Sequence, residues 1–244
     1  MNLVRMTNAC MVEPAAFGYN PESAISNRFQ RDAGLPAAQA ASAAREEFGA
    51  LAGALRSAGI GVAIAADTLH PRKPDAVFPN NWVSFHGDGT VVLYPLFNPS
   101  RRAERREAVI DCVKAQLGFV ETRRIDLTAE ERRGRYLEGT GNLVLDHRNR
   151  VAYAVPSPRT DASLVREWAR LMDYEPVLFD AVLNTDRLSV DSCVQTIRTL
   201  LTRPEFAETA QSRALLQGLA MSANVRAALR ANEQTRGVDI TIDS

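Results

Sequence analysis

The sequence contains few of the residues on which many functional classes depend. Its 244 residues include three cysteines and three histidines, and no histidine follows His147. Cys10, Cys112 and Cys193 are odd in number and widely spaced, which argues against a disulfide framework and provides no CxxC metal-binding pair. A reducing compartment is therefore expected, and neither a metal site nor another cofactor is predicted.

Long apolar runs and an excess of charge of either sign are also missing. The 29 basic side chains balance the 29 acidic ones, so the overall charge gives no reason to expect nucleic acid or an anionic membrane as a partner. No stretch approaches the roughly 18 apolar residues of a membrane span, and no apolar run follows a basic start at the N-terminus. We therefore expect a cytoplasmic protein that acts on a small molecule.

Apolar periodicity predicts a recurring order of elements in the first part of the chain. An Ala-rich helix between Pro36 and Gly59 leads into a buried strand. Two hairpins follow, which turn at Gly87–Gly89 and at His147–Asn149. Each is followed by a helix, the first starting at Ser100 and the second spanning Asp161–Met172, and then by a strand. Because hairpins require antiparallel pairs, this order predicts a modular α/β fold instead of a doubly wound parallel sheet.

The character of the sequence changes after about residue 181. The segment 189–232 is polar and rich in Ala, Leu, Arg, Gln and Thr, which predicts two or three helices separated by Pro204 and Gly218. We therefore expect two regions, an α/β domain over 1–181 and a divergent, mostly helical tail over 182–244.

Two stretches contain candidate ligand-binding side chains next to a predicted strand. In DAVFPNNWVSFH, the side chains of Asn80, Asn81 and Trp82 can hold a planar polar group by hydrogen bonding and stacking. The alternative is an Asx turn that enters a hairpin with Trp82 in the core. In RYLEGTGNLVLD, Glu138 precedes two glycines that let a ligand approach closely, so it can pair with a guanidinium or orient a histidine. The alternative is a tight turn with a solvated glutamate.

Arginines dominate two further stretches. Arg159 in AYAVPSPRT follows a strand and a proline-constrained bend, where it can bind a substrate carboxylate, although most arginines are ordinary surface residues. In LYPLFNPSRRAERR, four arginines crowd the predicted start of a helix, where basic charge opposes the helix dipole. A ligand or an acidic neighbour such as Glu104 or Glu107 can compensate that charge. An RNA-binding patch would need interleaved aromatic residues, which this stretch lacks.

The motifs together are more specific than each one alone. NPESAISNRFQ, DAVFPNNWVSFH, VVLYPLFNPSRRAERR, LEGTGNLVLD and AYAVPSPRT occur in this order, and over residues 1–181 they resemble the arginine-deiminase-related amidinotransferase family, which includes citrulline utilization hydrolases. The resemblance implies a pentein-like α/β propeller built from ββαβ units. It also implies hydrolysis of a C–N bond: a cysteine thiolate attacks the guanidinium or ureido carbon, a histidine acts as acid and base, ammonia or an amine leaves, and water releases the product.

The resemblance assigns roles to individual residues. Asn80 and Asn81, with the adjacent Trp82, match the loop that holds the planar nitrogens of the substrate. Glu138 matches the acidic residue beside the catalytic histidine, and Arg159 matches the arginine that binds the amino-acid carboxylate. The expected partner is thus a guanidino or ureido amino acid such as arginine or citrulline.

In its catalytic part, this sequence departs from the family pattern. Where relatives have a His-Thr stretch, this chain has Asn184 and Thr185, and Cys193 lies in the tail without a histidine partner. Either the reading frame changes near residue 181 or the C-terminal region is remodelled. The sequence therefore leaves two hypotheses open: a C–N hydrolase of weak or no activity, or a non-catalytic binding or interaction protein. An incomplete propeller would expose strand edges, which makes a homo-oligomer an option.

Overall fold

Two compact units, Met1–Val182 and Leu183–Ser244, make up the chain. The computed structural model describes residues 8–25, 27, 30, 32, 34–183 and 187–204, with positions 207–210, 213–214, 217–218, 220–221 and 224–225. Within these ranges the first unit has a mixed α/β fold with three small sheets. No helix in the same ranges combines the length and apolar character needed to cross a bilayer.

The first sheet consists of two parallel strands, β1 (Asn8–Glu13) and β2 (Gly61–Ala66). Between them in the chain lie the short helix α1 (Pro21–Ala24) and the long helix α2 (Ala37–Ser57). Gly59 follows α2 with a φ of +78°, a left-handed conformation that glycine adopts without steric cost. The predicted Ala-rich helix and the buried strand behind it are therefore confirmed.

The second sheet begins with a hairpin of β3 (Val83–Phe85) and β4 (Thr90–Leu93). Helix α3 (Glu107–Leu117) then leads to β5 (Arg123–Asp126), which pairs in parallel with β4. A parallel return needs a crossover connection, which α3 supplies. The predicted hairpin around Gly87–Gly89 is confirmed.

The third sheet has the same strand order and the same pairing directions. The four-residue helix α4 (Gly139–Asn142) precedes the hairpin of β6 (Leu143–Asp146) and β7 (Val151–Ala154). Helix α5 (Ala162–Met172) then leads to β8 (Glu175–Leu178), parallel to β7. The second predicted hairpin is thus confirmed, while the propeller arrangement of the sheets stays a prediction.

Helix α5 illustrates how sequence and packing agree. The Asp161 carboxylate caps its N-terminus by accepting a hydrogen bond from the Leu164 N–H at 2.8 Å, which satisfies a donor that the helix leaves unpaired. Its buried apolar residues recur at helical spacing and face the core, where each large side chain contributes about 1.5–3 kcal/mol by burial. The buried set on this helix is Leu164, Val165, Trp168, Ala169 and Met172.

The predicted start of the next helix, at Ser100, is wrong. A 3₁₀ helix spans Pro99–Glu104, Arg105 is extended with a ψ of 100°, and α3 begins only at Glu107. The arginines of this stretch reach different partners: Arg101 pairs with Glu104, whereas Arg106 donates to the Ala66 carbonyl. Arg105 also binds Glu131, and the remote contacts of Arg105 and Arg106 outweigh the local helical pattern, so the basic charges do not collect in one first turn.

The second unit contains α6 (Val190–Leu201), whose N-cap Ser189 accepts a hydrogen bond from the Ser192 N–H at 3.1 Å. This confirms a helix at the start of the predicted tail. The helices predicted beyond Pro204 lie mostly outside the described residues. Asn184 and Thr185 also lie outside them.

Candidate functional site

The open ends of the two hairpins meet and form a polar site. The 3₁₀ helix Pro79–Asn81 enters β3, and α4 enters β6 beside it. The backbone N–H of Leu137 donates to the Pro95 carbonyl at 3.3 Å, which ties the exit of β4 to the entry of β6. The hairpin turns lie at the other end of the same strands. This topology places residues distant in sequence around Glu138.

Glu138 occupies the centre of this site and is fully buried, with 0% of its surface exposed. Its Oε1 accepts a hydrogen bond from the Phe97 N–H at 3.1 Å. Its Oε2 accepts one from Asn81 Nδ2 at 3.2 Å and one from Arg159 Nη1 at 3.3 Å. Arg101 Nη1 lies 4.0 Å from the same Oε2. The alternative of a solvated glutamate in a tight turn is therefore wrong.

The two glycines after Glu138 allow the close approach of the Asn80–Asn81 segment. Gly139 has a φ of +45°, and a Cβ atom there would overlap the carbonyl oxygen of Asn80. A Cβ atom at Gly141 would lie 2.5 Å from Asn81 Nδ2. Only glycine fits at position 139, where the close atom belongs to the backbone, whereas a side chain at position 141 would displace the Asn81 amide from its present place. The Gly-Thr-Gly stretch thus holds Asn81 against Glu138.

Arg159 reaches Glu138 from a tight turn after β7. The backbone groups of Ser157 and Thr160 bond to each other, and the Arg159 N–H donates to Ser157 Oγ at 3.2 Å. Asn142 Nδ2 donates to the Arg159 carbonyl at 3.1 Å and also to the Thr160 hydroxyl. These bonds fix the turn beside α4, with the guanidinium of Arg159 directed at the carboxylate.

Asn80 and Trp82 take different positions. Asn80, the middle residue of the 3₁₀ helix, is exposed, and its described contact with the site is the close approach of its backbone carbonyl to Gly139. Trp82 is 1% exposed and packs in a core cluster with Val83, Val91 and Leu96. The tryptophan therefore has the environment of the alternative interpretation, a core residue at the entry to a hairpin, and its stacking role stays a prediction.

A buried charged network extends the site beyond the predicted residues. Arg101 donates to both Glu104 oxygens, at 2.9 and 2.8 Å, and its Nε lies 3.8 Å from Asp75 Oδ2. Asp75 Oδ2 also accepts bonds from Asn20 Nδ2 and Ser23 Oγ, both at 2.7 Å. Burial raises the pKa of the Glu104 carboxyl to about 7, against the lowering effect of Arg101.

The sequence predicted that an acidic neighbour such as Glu104 compensates the arginine cluster, and the Arg101–Glu104 pair confirms this. Asn20, Ser23 and Asp75 were not selected, and none of the five network residues was assigned to the site. Asn20 and Ser23 belong to the NPES stretch, Asp75 opens DAVFPNNW, and Arg101 and Glu104 are three residues apart, a spacing at which opposite charges can pair. Their burial was not visible, because charged residues in a polar sequence stretch are normally exposed.

Within the first unit, none of the described histidines and cysteines hydrogen-bonds to Glu138. His86 Nε2 bonds to Ser84 Oγ at 2.8 Å, and burial lowers the pKa of this histidine to about 4. His147 Nδ1 bonds to the Tyr174 hydroxyl at 2.7 Å. Burial raises the pKa of the Cys10 thiol, on β1, to about 12. These groups line a cavity of about 540 Å³ at the turn ends of the hairpins.

No group of three or more His, Cys, Asp or Glu side chains suited to a metal ion occurs in the part of the chain that the structure describes. The site around Glu138 is therefore built from carboxylates, amides and guanidinium groups. Such a set recognises a polar organic ligand by charge-assisted hydrogen bonds.

Known structures share the fold. The substrate-bound N-terminal domain of ArgZ, an arginine dihydrolase from the ornithine–ammonia cycle in cyanobacteria, is 21% identical with a TM-score of 0.50. That match covers 69% of this chain and 55% of the ArgZ domain. Unliganded AgrE is 20% identical with a TM-score of 0.51, over 69% of this chain and 22% of AgrE. The chain thus spans about half the length of the ArgZ domain, and at these identities the likeness shows the fold alone.

Sequence comparison gives the family. No curated protein matches the chain significantly by sequence. A family model described as N,N dimethylarginine dimethylhydrolase, eukaryotic, matches residues 13–199, and so continues past residue 181 into α6. Since this match covers most of the chain, the protein belongs to the N,N-dimethylarginine dimethylhydrolase family, which confirms the resemblance to guanidino-group-modifying enzymes drawn from its motifs.

Proposed function

We propose that this chain binds the guanidino or ureido group of an amino acid such as arginine or citrulline at Glu138. The observation that carries the proposal is that Asn81 and Arg159 both donate to one carboxylate oxygen of Glu138, at 3.2 and 3.3 Å. These residues come from three separate sequence motifs. A structural turn would not require all three side chains to meet in a buried position.

The chemistry of the three side chains fits this class of ligand. A buried carboxylate accepts the parallel N–H groups of a guanidinium, and it accepts the N–H groups of a neutral ureido group in the same way. The Asn81 amide offers both a donor and an acceptor to a planar nitrogen-rich group. Arg159, at the edge of the site with 16% of its side chain exposed, can turn toward the carboxylate of the ligand.

Hydrolysis of a C–N bond is the reaction implied by the family, and we propose that it is weak or absent in this chain. It needs a nucleophilic thiolate and an acid–base group close to the ligand carbon. Within the first unit, no described histidine or cysteine hydrogen-bonds to Glu138, and burial raises the pKa of the Cys10 and Cys112 thiols, which disfavours their thiolates. The second candidate function, binding without catalysis, is favoured by this observation.

We propose that residues 1–181 form part of a pentein-like propeller of ββαβ units and that 182–244 form a divergent, largely helical tail. The two sheets with identical pairing support the first statement. A homo-oligomer, a cytoplasmic location, and roles for Asn80 and Trp82 in holding the substrate remain predictions from the sequence.

Calorimetry tests the binding proposal. We expect arginine or citrulline to bind the full chain, and Glu138→Gln to weaken binding by about 10-fold or more, because a charged hydrogen-bond acceptor is lost. Glu47→Gln is the matched control, since Glu47 is exposed on α2. Circular dichroism shows whether each variant folds. Absence of binding heat with both amino acids in a folded wild-type chain would contradict the proposal.

A product assay separates the two candidate functions. The purified chain is incubated with arginine, citrulline and dimethylarginine, and ammonia, dimethylamine, citrulline and ornithine are measured. We expect binding without significant product. Turnover that Glu138→Gln abolishes and Glu47→Gln leaves unchanged would instead establish a hydrolase.

A further inference from the structure

The cavity at the turn ends of the hairpins has no part in the function proposed above. It lies within the first unit, and its lining residues all differ from the described residues around Glu138. Its volume of about 540 Å³ falls within the range of about 300–1,000 Å³ that is typical of small-molecule sites. One part of its lining is apolar and another part is polar, a combination that such sites share. The apolar part consists of Phe85, Val113, Leu117, Phe119 and Met172.

The apolar part of the lining suits a flat ring. The rings of Phe85 and Phe119 meet edge to face, with centroids 5.3 Å apart and planes at 81°. Both side chains are only partly buried, so a ligand can still cover part of their surface and remove it from water. An aromatic ligand gains more from such a pair than an aliphatic one, because it can pack its face or edge against theirs.

Arg150 brings a guanidinium to the polar part of the lining, and neutral groups hold it in position. Its Nε donates to the Asp173 carbonyl at 2.9 Å, and its Nη2 donates to the Met172 carbonyl. The guanidinium carbon lies 4.2 Å from the centre of the Tyr174 ring, an attractive cation–π geometry. Among the described residues, its only carboxylate partner is Asp173, 3.7 Å away and 99% exposed, where water screens the pair. Arg150 therefore keeps most of its charge for a ligand.

The other polar groups of the lining limit the charge that a ligand can carry. His86 Nε2 bonds to Ser84 Oγ, and burial lowers the pKa of this histidine to about 4, so the ring is neutral near pH 7. His147 Nδ1 bonds to the Tyr174 hydroxyl at 2.7 Å, which leaves its Nε2 for a ligand. Asp88 adds a carboxylate to the same lining and repels a second negative charge. The charges therefore favour a ligand with a single negative charge.

We propose that this cavity is a second ligand site, which binds a planar aromatic monocarboxylate. The ring of the ligand packs against Phe85 and Phe119, and its carboxylate pairs with the guanidinium of Arg150. Arginine is suited to this role because its planar fork can bind both oxygens of a carboxylate. The proposal does not rest on the guanidino site, since the two sites have no described residue in common.

The histidines provide a direct test by nuclear magnetic resonance. The chain has three of them: His86 and His147 line the cavity, whereas His70 is exposed and does not. Cinnamate, a planar aromatic monocarboxylate, is titrated into the full chain at pH 7 while the ring signals are recorded. We expect the signals of His86 and His147 to shift and saturate, and that of His70 to stay. Cinnamamide, the uncharged amide of the same shape, should bind about 10-fold more weakly, because it cannot form the charged pair.

Substitutions at Arg150 test its role. Arg150→Gln should lower cinnamate affinity by about 10-fold and remove the preference over cinnamamide. Arg150→Lys keeps the charge but loses the planar fork, so its cinnamate affinity should lie between those of wild type and Arg150→Gln. Arg148→Gln is the matched control, because Arg148 is exposed in the same β6–β7 turn and does not line the cavity. Thermal unfolding shows whether each variant folds, and the comparison of the two ligands in wild type needs no variant.

Three results would overturn the proposal. If millimolar cinnamate moves no histidine signal, or moves that of His70 as much as the other two, the cavity is not a site for this ligand class. Equal affinity of wild type for cinnamate and cinnamamide would show that the cavity does not select a negative charge. An unchanged cinnamate affinity in folded Arg150→Gln would show that Arg150 does not bind the carboxylate.

Discussion

The two ends of the same hairpins bury polar groups by opposite means. At the open ends, Glu138, Arg101 and Glu104 are buried among neighbours of opposite charge. At the turn ends, burial lowers the pKa of His86 to about 4 and raises that of the Cys10 thiol to about 12, so both are neutral near pH 7. Burial disfavours the charged form at both ends, but at the open ends Arg101 opposes this effect at Glu104, whose pKa is about 7.

The charged end should be the more fragile of the two. Replacing Arg101 by leucine leaves Glu104, Asp75 and Glu138 without the buried cation that links them. Loss of one partner from a buried ion pair costs about 3–5 kcal/mol of unfolding free energy. Urea denaturation at pH 7 measures the change. Arg132→Leu, at an exposed position, is the control, and equal stability of the two variants would remove the distinction between the ends.

Close packing at the open ends should make Gly139 intolerant of a side chain. Gly139→Ala combines a positive φ with overlap between the new Cβ atom and the Asn80 carbonyl, so we expect a loss of about 1–3 kcal/mol. Gly49→Ala is the opposite case, because Gly49 lies inside α2 with open space around it. That change should stabilise by about 0.5–1 kcal/mol. Thermal unfolding checks both signs, and a neutral Gly139→Ala would argue against the tight approach.

The two ends should also respond to pH with opposite signs. His86 has a folded pKa of about 4 against an ordinary pKa of 6.5, so between these values the unfolded chain binds the extra proton and stability falls as pH falls. Glu104 has a folded pKa of about 7 against an ordinary pKa of 4.5. Between those values the folded chain keeps the extra proton, and stability falls as pH rises. In the shared window the two contributions oppose each other.

Variants separate these contributions. In urea denaturation at pH 5 and pH 6, His86→Gln should make stability fall more steeply with rising pH, and Glu104→Gln should make it rise more steeply. Each change in slope is at most about 1.4 kcal/mol per pH unit, the value for one proton. Identical slopes in wild type and both variants would mean that neither group is shifted by burial.

The sequence predicted those parts of the fold that depend on neighbouring residues. Both hairpins, helix α5 and the end of α2 before Gly59 follow from side-chain alternation, helical periodicity and glycine conformation. The start of α3 could not be predicted, because the arginines before it bind Glu131, Glu104 and Ala66, of which two are remote in sequence. Local helical preference is too small to resist such contacts.

The residues of the candidate site also fall into those that the sequence could indicate and those that it could not. Asn81, Glu138 and Arg159 could be selected because each lies in a motif with a chemical interpretation, and their roles remain predictions. Asp75 was not selected, and Arg101 and Glu104 were recognised only as a basic cluster with an acidic neighbour, because composition gives no sign that a charged residue is buried.

The sequence by itself determined the family, the local elements and the residue types available to hold a guanidino group. Only the tertiary structure decided that Glu138 is buried, that Arg159 bonds to it, and that His86 and His147 lie at the other end of the hairpins. The physical reason is that hydrogen bonds between neighbouring residues follow from local order, whereas burial and charge pairing depend on which distant strands meet.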